Sequence, residues 1–167
     1  MQETSLCWLC IIKVLLLLNI ANGTPILARN YFQARYAWPI DFGIAFIDHR
    51  PFFGDSKTWR GLMTAIFMTG IFALLLGMTF LQGVFFGMWV MLGDLCASFI
   101  KRRLGYIESS RSRFLDTLPE SILPVLVLHE QFGLTLFDGI LSIALFVILE
   151  ILISPVLYRL HIRKRPY

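Results

Sequence analysis

The sequence predicts an all-α integral membrane protein with five transmembrane helices, its N-terminus outside and its C-terminus in the cytoplasm. Three observations predict it. Of 167 residues, 57% are hydrophobic and only 16% charged, at a mean hydropathy of +0.70, whereas a water-facing domain usually carries about 25% charged residues. The apolar residues come in runs near the roughly 20 needed to cross the hydrocarbon. The bases gather in three short segments that fall on one side if there are five spans. The same composition excludes a disordered chain, which needs low hydrophobicity and high net charge.

The expected spans are 6–25, 61–81, 84–101, 118–137 and 139–158, which together make residues 1–167 one transmembrane domain. The first run is interrupted only by Lys13. It differs from a secretory signal because Glu3 stands where a basic region is wanted. Gly61 to Leu81 holds no charge, and Gln82–Gly83 is expected to turn the chain into the third span. That span is broken only by Asp94, and the fifth only by Glu150. The fourth run is interrupted by His129, Glu130 and Gln131, read as its far end. Cys7, Cys10 and Cys96 lie in apolar runs and read as packing residues rather than a disulfide or metal framework.

Charge placement supports the count of five. Arg29, Arg35, Arg50, Lys57 and Arg60 precede the second span. Lys101, Arg102, Arg103, Arg111 and Arg113 follow the third. Arg159, Arg163, Lys164 and Arg165 follow the fifth, which leaves Lys13 inside the first span. Five helices put all three basic segments on one side, which the positive-inside rule makes cytoplasmic. Short juxtamembrane loops account for these bases, so nucleic acid is not an expected partner.

Three polar clusters could carry chemistry on that side. In Gly93-Asp94-Leu-Cys-Ala-Ser98-Phe-Ile-Lys101-Arg102-Arg103, helical geometry aligns Asp94, Ser98 and Lys101 on one face, with Asp94 about 10 Å below Lys101. An acid at that depth either pairs with a base to steady the helices or faces a hydrophilic pocket. In Asp116-Thr117-Leu-Pro119-Glu120, Thr117 and Glu120 fit a capping box, while Asp116 and Glu120 could also hold a divalent cation against phosphates. In Gly54-Asp55-Ser-Lys57-Thr58-Trp-Arg60-Gly61, the spacing is wrong for a P-loop. What remains is an anion site at a helix N-terminus, or Thr58 acting simply as its cap. Asp41 and Asp48 add further acids. Gly83-x-x-x-Gly87 matches a close-packing motif. Glu150 reads as a protonated or hydrogen-bonded packing residue.

Together these segments resemble the CDP-archaeol synthase family, membrane cytidylyltransferases that make CDP-activated lipids from CTP. The resemblance is carried by Asn19-Ile-Ala-Asn-Gly-Thr-Pro25, Pro39-Ile-Asp-Phe-Gly43, Gly54-Asp-Ser-Lys-Thr-Trp-Arg-Gly61, Gly93-Asp94 with Ser98-Phe-Ile-Lys-Arg-Arg103, and Leu115-Asp116. The family's last acidic pattern is Asp-Gln-x-Asp. Here it reads Asp116-Thr-Leu-Pro119-Glu120, with the second acid displaced by one position and lengthened, as in a branch diverging from the archaeal pattern.

The resemblance implies a Mg²⁺-dependent attack of a lipid phosphate on CTP, giving CDP-lipid and pyrophosphate, within phospholipid biosynthesis. Asp94, Asp116 and Glu120 are then the expected metal ligands, with Asp94, Asp116, Lys101 and Arg102 as the catalytic set. Lys57, Arg60, Ser98, Arg103, Asp55 and Asp41 are expected at the substrates. CTP would arrive from the cytosol and lipid phosphate from the bilayer of the cell (inner) membrane. The rival reading is a non-catalytic carrier or assembly partner, which leaves the clustering of acids among bases without a reason.

Overall fold

A computed structural model describes residues 6–106 and 113–159; Arg111, His161 and the tail bases Arg163, Lys164 and Arg165 lie outside the described residues. The described chain is all-helical: α1 (Trp8–Phe32), α2 (Trp59–Leu75), α3 (Phe80–Arg103), α4 (Arg113–Leu128) and α5 (Leu136–Arg159). α1, α3 and α5 are long and apolar enough to cross a membrane, and α2 is a shorter apolar helix. Helix α3 is central and packs against α1, α2 and α4, while α5 closes on α1 and α4.

The boundaries differ from the expected spans where local chemistry outweighs hydropathy. The α2–α3 turn lies at Leu76–Thr79, not at Gln82–Gly83. Gly77 takes the left-handed conformation (φ 72°). Thr79 and Gln82 then form a reciprocal capping box that starts α3. Gly83, expected in the turn, is a packing glycine. A Cβ there would sit 2.5 Å from both the Ala73 Cβ and the Thr69 carbonyl oxygen of α2. A Cβ on Gly87, one turn on, would sit 3.1 Å from the Ile66 Cα, so the small-residue pair does bring the two helices together.

Helix α4 starts five residues earlier than the expected span and ends at Leu128. The expected capping box at Thr117 and Glu120 is therefore absent: both residues lie inside the helix, where the Thr117 carbonyl accepts from the Ser121 hydroxyl at 2.7 Å. The interruption at His129–Gln131 ends α4, as expected, and α5 begins at Leu136. Its start is set by Thr135 and Asp138, which bond each other's backbone N–H. Asp138 also accepts from the Cys7 N–H at 3.3 Å, joining the starts of α1 and α5.

The cysteine expectation needs correction. Cys7 and Cys10 form a disulfide across the first turn of α1, because their three-residue spacing brings the two Cα atoms to 5.2 Å. Cys96 is a free, exposed thiol on α3.

The α2–α3 contact can be tested by adding single methyl groups. Gly83→Ala is expected to lower stability by about 1–3 kcal/mol through overpacking, read from thermal unfolding in detergent. Gly23→Ala, which meets nothing within 4 Å, should leave the melting temperature unchanged or slightly raised.

Candidate active site

The candidate site lies at one end of the helices, where the long α1–α2 connection (33–58) meets the C-terminal end of α3. Three anchors shape that connection. Asp41, 7% exposed, accepts backbone N–H bonds from Gly43 at 3.1 Å and from Phe53 and Gly54 at 2.9 Å. Burial alone would raise its carboxyl, but these donors together hold it below the ordinary value of 3.8. The Arg60 guanidinium bonds the Gln33 and Arg35 carbonyls and fastens the end of α1 to the start of α2. Arg103 pairs with Asp48 at 2.6 Å and bonds the Arg50 and Pro51 carbonyls. Its guanidinium lies 4.8 Å from the Phe46 ring and 5.0 Å from the Phe99 ring.

With the loop fixed, Lys57 is aimed inward. Its backbone is tied by the Ile40 N–H donating to the Lys57 carbonyl at 2.8 Å. The next residue, Thr58, caps α2 by accepting from the Gly61 N–H. Lys57 Nζ donates to both Asp94 carboxylate oxygens at 2.6 Å. Burial lowers the affinity of Lys57 for its proton, but the charge of Asp94, with those of Glu120 and Asp116, outweighs this and raises it above 10.5. The stabilisation from that pairing is complete below pH 10.5 and is lost only as pH rises through the higher folded value.

Helix α4 brings the other acids. A Cβ on Gly93 would sit 2.3 Å from the Pro119 carbonyl oxygen and 2.6 Å from the Glu120 Cα, so only glycine lets α3 and α4 approach this closely. About two turns toward the C-terminal end of α3, Lys101 Nζ donates to both oxygens of Asp116 at 3.0 Å. Ser98, 5% exposed, lies on the same stripe between Asp94 and Lys101. Glu120 is 7% exposed, makes no ion pair among the described residues, and lies within electrostatic range of Asp94, Lys57, Asp116 and, from α5, Glu150.

The structure thus brings together Lys57, Asp94, Ser98, Lys101, Asp116 and Glu120. Arg60, Arg103 and Asp41 instead hold the α1–α2 connection in place. Asp55 and Ser56 form an exposed turn of that connection. Arg102 leaves α3 about 100° round from Lys101 and bonds the Tyr106 carbonyl at 2.8 Å. Sequence reasoning missed the role of Gly93, although its place directly before the one acid of an apolar run was a signal. It also missed the Asp48–Arg103 pair, which spans 55 positions and has no local signature.

A hard divalent cation fits this donor set when it arrives with phosphates. Among the described residues, no three of His, Cys, Asp and Glu stand close enough to cage an ion by themselves. The cluster nonetheless gathers three carboxyl side chains with two ammonium groups, and Glu120 makes no ion pair among the described residues. Mg²⁺ is commonly held by one or two carboxylates with phosphate oxygens completing its shell.

Comparison with known proteins decides the family. The profile described as CarS-like, CDP-archaeol synthase, matches residues 11–167. The chain belongs to the CDP-archaeol synthase family. The CDP-archaeol synthase of Sulfurisphaera tokodaii is 34% identical over 154 residues, covering 89% of each chain. That of Hyperthermus butylicus is 39% identical over 104 residues, covering 59% of each. A solved structure of an intramembrane enzyme for archaeal membrane lipid biosynthesis superposes with a TM-score of 0.68 at 26% identity, covering 84% of this chain and 90% of that one. The CDP-archaeol synthase family is a family of membrane enzymes, in keeping with the apolar helices found here.

Two outcomes follow from the geometry. Gly93→Ala should push α4 from α3 and cut turnover by at least tenfold; if the rate stays at wild type, the close approach does not position the acids. Asp41→Asn leaves loop donors unsatisfied and should cost about 1–3 kcal/mol at pH 7. Because the folded Asp41 titrates below 3.8, its stabilisation is complete above pH 3.8 and is lost as pH falls through the folded value. The gap between wild type and variant, read by hydrogen exchange in residues 41–54, should therefore close in acid.

Proposed function

We propose that this chain is a CTP-dependent cytidylyltransferase that converts a membrane lipid phosphate to a CDP-lipid, releasing pyrophosphate, in phospholipid biosynthesis. One observation carries the reading: Asp94, Asp116 and Glu120 are gathered with Lys57 and Lys101 at one end of a bundle with three membrane-length helices. A carrier or assembly partner has no use for an acid-rich cluster that includes the buried side chains of Lys101 and Glu120, since burying a charge costs several kcal/mol of desolvation.

All five helices cross the membrane in this reading. If α1, α3 and α5 cross, α2 and α4 must return the chain. The four-residue turn at Leu76–Thr79 and the pairing of Lys57 with Asp94 place the two ends of α2 beside opposite ends of α3. The α1–α2 connection and the start of α4 then share a face with the C-terminal end of α3. The positive-inside rule makes that face cytoplasmic, with the N-terminus outside. CTP enters there from the cytosol, the lipid reaches the site sideways from the cell membrane, and residues 1–167 act as one domain.

In the reaction, a phosphate oxygen of the lipid attacks the α-phosphorus of CTP. A new P–O bond forms, the bond to the β-phosphate breaks, and pyrophosphate leaves with the electron pair. The nucleophile belongs to the substrate, so the protein's task is positioning and charge neutralisation. Lys57 and Lys101 hold phosphate oxygens, and Ser98 donates a hydrogen bond to one. Asp94 and Asp116, with Glu120, would hold Mg²⁺, which when bound would supply neutralisation of the triphosphate charge.

The test is an assay of purified protein with labelled CTP, Mg²⁺ and a panel of lipid phosphates. CDP-lipid should form, and removal of divalent cations by EDTA should abolish it. Asp94→Asn, nearly unchanged in shape, should lower turnover by about 10²–10³. Wild-type turnover by that variant would refute the site.

A further inference from the structure

Exposed aromatic rings gather where α1 ends and α2 begins. Tyr31, in the last turn of α1, is 82% exposed; Tyr36 and Trp38 follow in the connection at 63% and 66%, and Trp59 opens α2 at 40%. Phe32 packs edge-on against Tyr31 and Tyr36, with centroids 4.9 and 6.1 Å away, and Tyr36 packs against Trp38 at 6.4 Å. The Trp59 N–H donates to the Trp38 carbonyl at 3.1 Å, which sets Trp38 level with the first turn of α2. Arg60 fixes the chain between them through the Gln33 and Arg35 carbonyls. Tyr36 takes a left-handed backbone (φ 58°), a conformation costly for a bulky side chain. With its ring mostly exposed, little burial within the described chain offsets that strain.

We propose that this aromatic strip seats the α1–α2 connection in the headgroup boundary of an anionic phospholipid leaflet, on the cytoplasmic side. The inference rests on the reading that the helices cross the bilayer. Two lengths put the strip at that depth. Trp8, 57% exposed at the other end of α1, stands about 35 Å along the helix from Tyr31, and the pair brackets a hydrocarbon core of about 30 Å. Helix α2, with 17 residues, is about 25 Å long. That is shorter than the core, so the residues flanking it are drawn to the hydrocarbon edge. Trp38, bonded beside Trp59, is one of them. Tyr and Trp suit this boundary because the ring sits among acyl chains while its O–H or N–H meets headgroups. Charge agrees with the choice of partner. From Leu27 to Ile40 the sequence holds Arg29 and Arg35 and no acid; both arginines are exposed and attract anionic headgroups. A second copy docked here about a two-fold axis would instead set these arginines against their own kind. The connection also carries Lys57, so its seat on the leaflet fixes the depth of the Lys57–Asp94 pair.

The test reads tryptophan depth in the full chain, reconstituted in vesicles of phosphatidylcholine and phosphatidylglycerol. The emission lost in Trp38→Phe reports Trp38, and that lost in Trp89→Phe reports a residue near the middle of α3. The lipids carry a nitroxide quencher either just below the headgroup or near the acyl terminus. Trp38 should be quenched about twofold more by the shallow nitroxide than by the deep one, and weakly by aqueous acrylamide, as a ring in the interface is. Trp89 should show the opposite order of nitroxides. Wild-type melting temperatures in detergent show that the variants fold; should Trp38→Phe unfold, Trp59→Phe reads the same depth from the start of α2. Suppose Trp38 is quenched by acrylamide as fully as free tryptophan and by neither nitroxide, while the deep nitroxide still quenches Trp89. The proposal is then overturned and the crossing of α3 stands. Shielding of Trp38 from every quencher means that protein covers the strip, and overturns the proposal too, as does stronger quenching by the deep nitroxide. If Trp89 itself escapes the deep nitroxide, the crossing fails and the proposal with it.

Discussion

Placing carboxylates among apolar helices is the constraint that organises this molecule. An ion moved out of water costs several kcal/mol even after relaxation, and the two aspartates at the working end each take a partner supplied from another segment. Asp94 on α3 takes Lys57 from the α1–α2 connection, and Asp116 on α4 takes Lys101 from α3. These two pairs join three segments distant in sequence. The acids cannot be placed without fixing the connection, α3 and α4 relative to each other.

The supporting structure follows from that requirement. Lys57 reaches Asp94 only because its loop is held by Asp41, Arg60 and Arg103, each using a charged side chain to satisfy backbone groups. Asp94 lies beside Glu120 only because Gly93 removes the side chain that would separate α3 from α4. Glu120 is the acid that neither pair uses: it lies buried beside them and makes no ion pair among the described residues.

Much of this was legible in the sequence. Charge sidedness indicated five helices and grouped the bases, and helical spacing put Asp94, Ser98 and Lys101 on one face. Hydropathy located runs but not ends, because the ends are set by short-range hydrogen bonding. Thr79 with Gln82, and Thr135 with Asp138, decide where α3 and α5 begin. Glu120 illustrates the opposite error, since a local capping pattern matched a residue that lies inside its helix. The arginines were grouped with the lysines as phosphate ligands because a sequence gives charge and not direction. Arg60 and Arg103 face backbone carbonyls of a distant loop, and no spacing rule encodes those partners.

The central claim is that the paired charges serve chemistry and are not merely a fastening. Exchanging one pair, Lys101→Asp with Asp116→Lys, tests this most directly, with melting temperature and CDP-lipid formation measured on the same preparation. A fastening works in either polarity, whereas a phosphate-binding lysine and a cation-binding aspartate do not. The account predicts that the double exchange recovers most of the stability lost in either single variant and none of the turnover. Recovery of both together would contradict it.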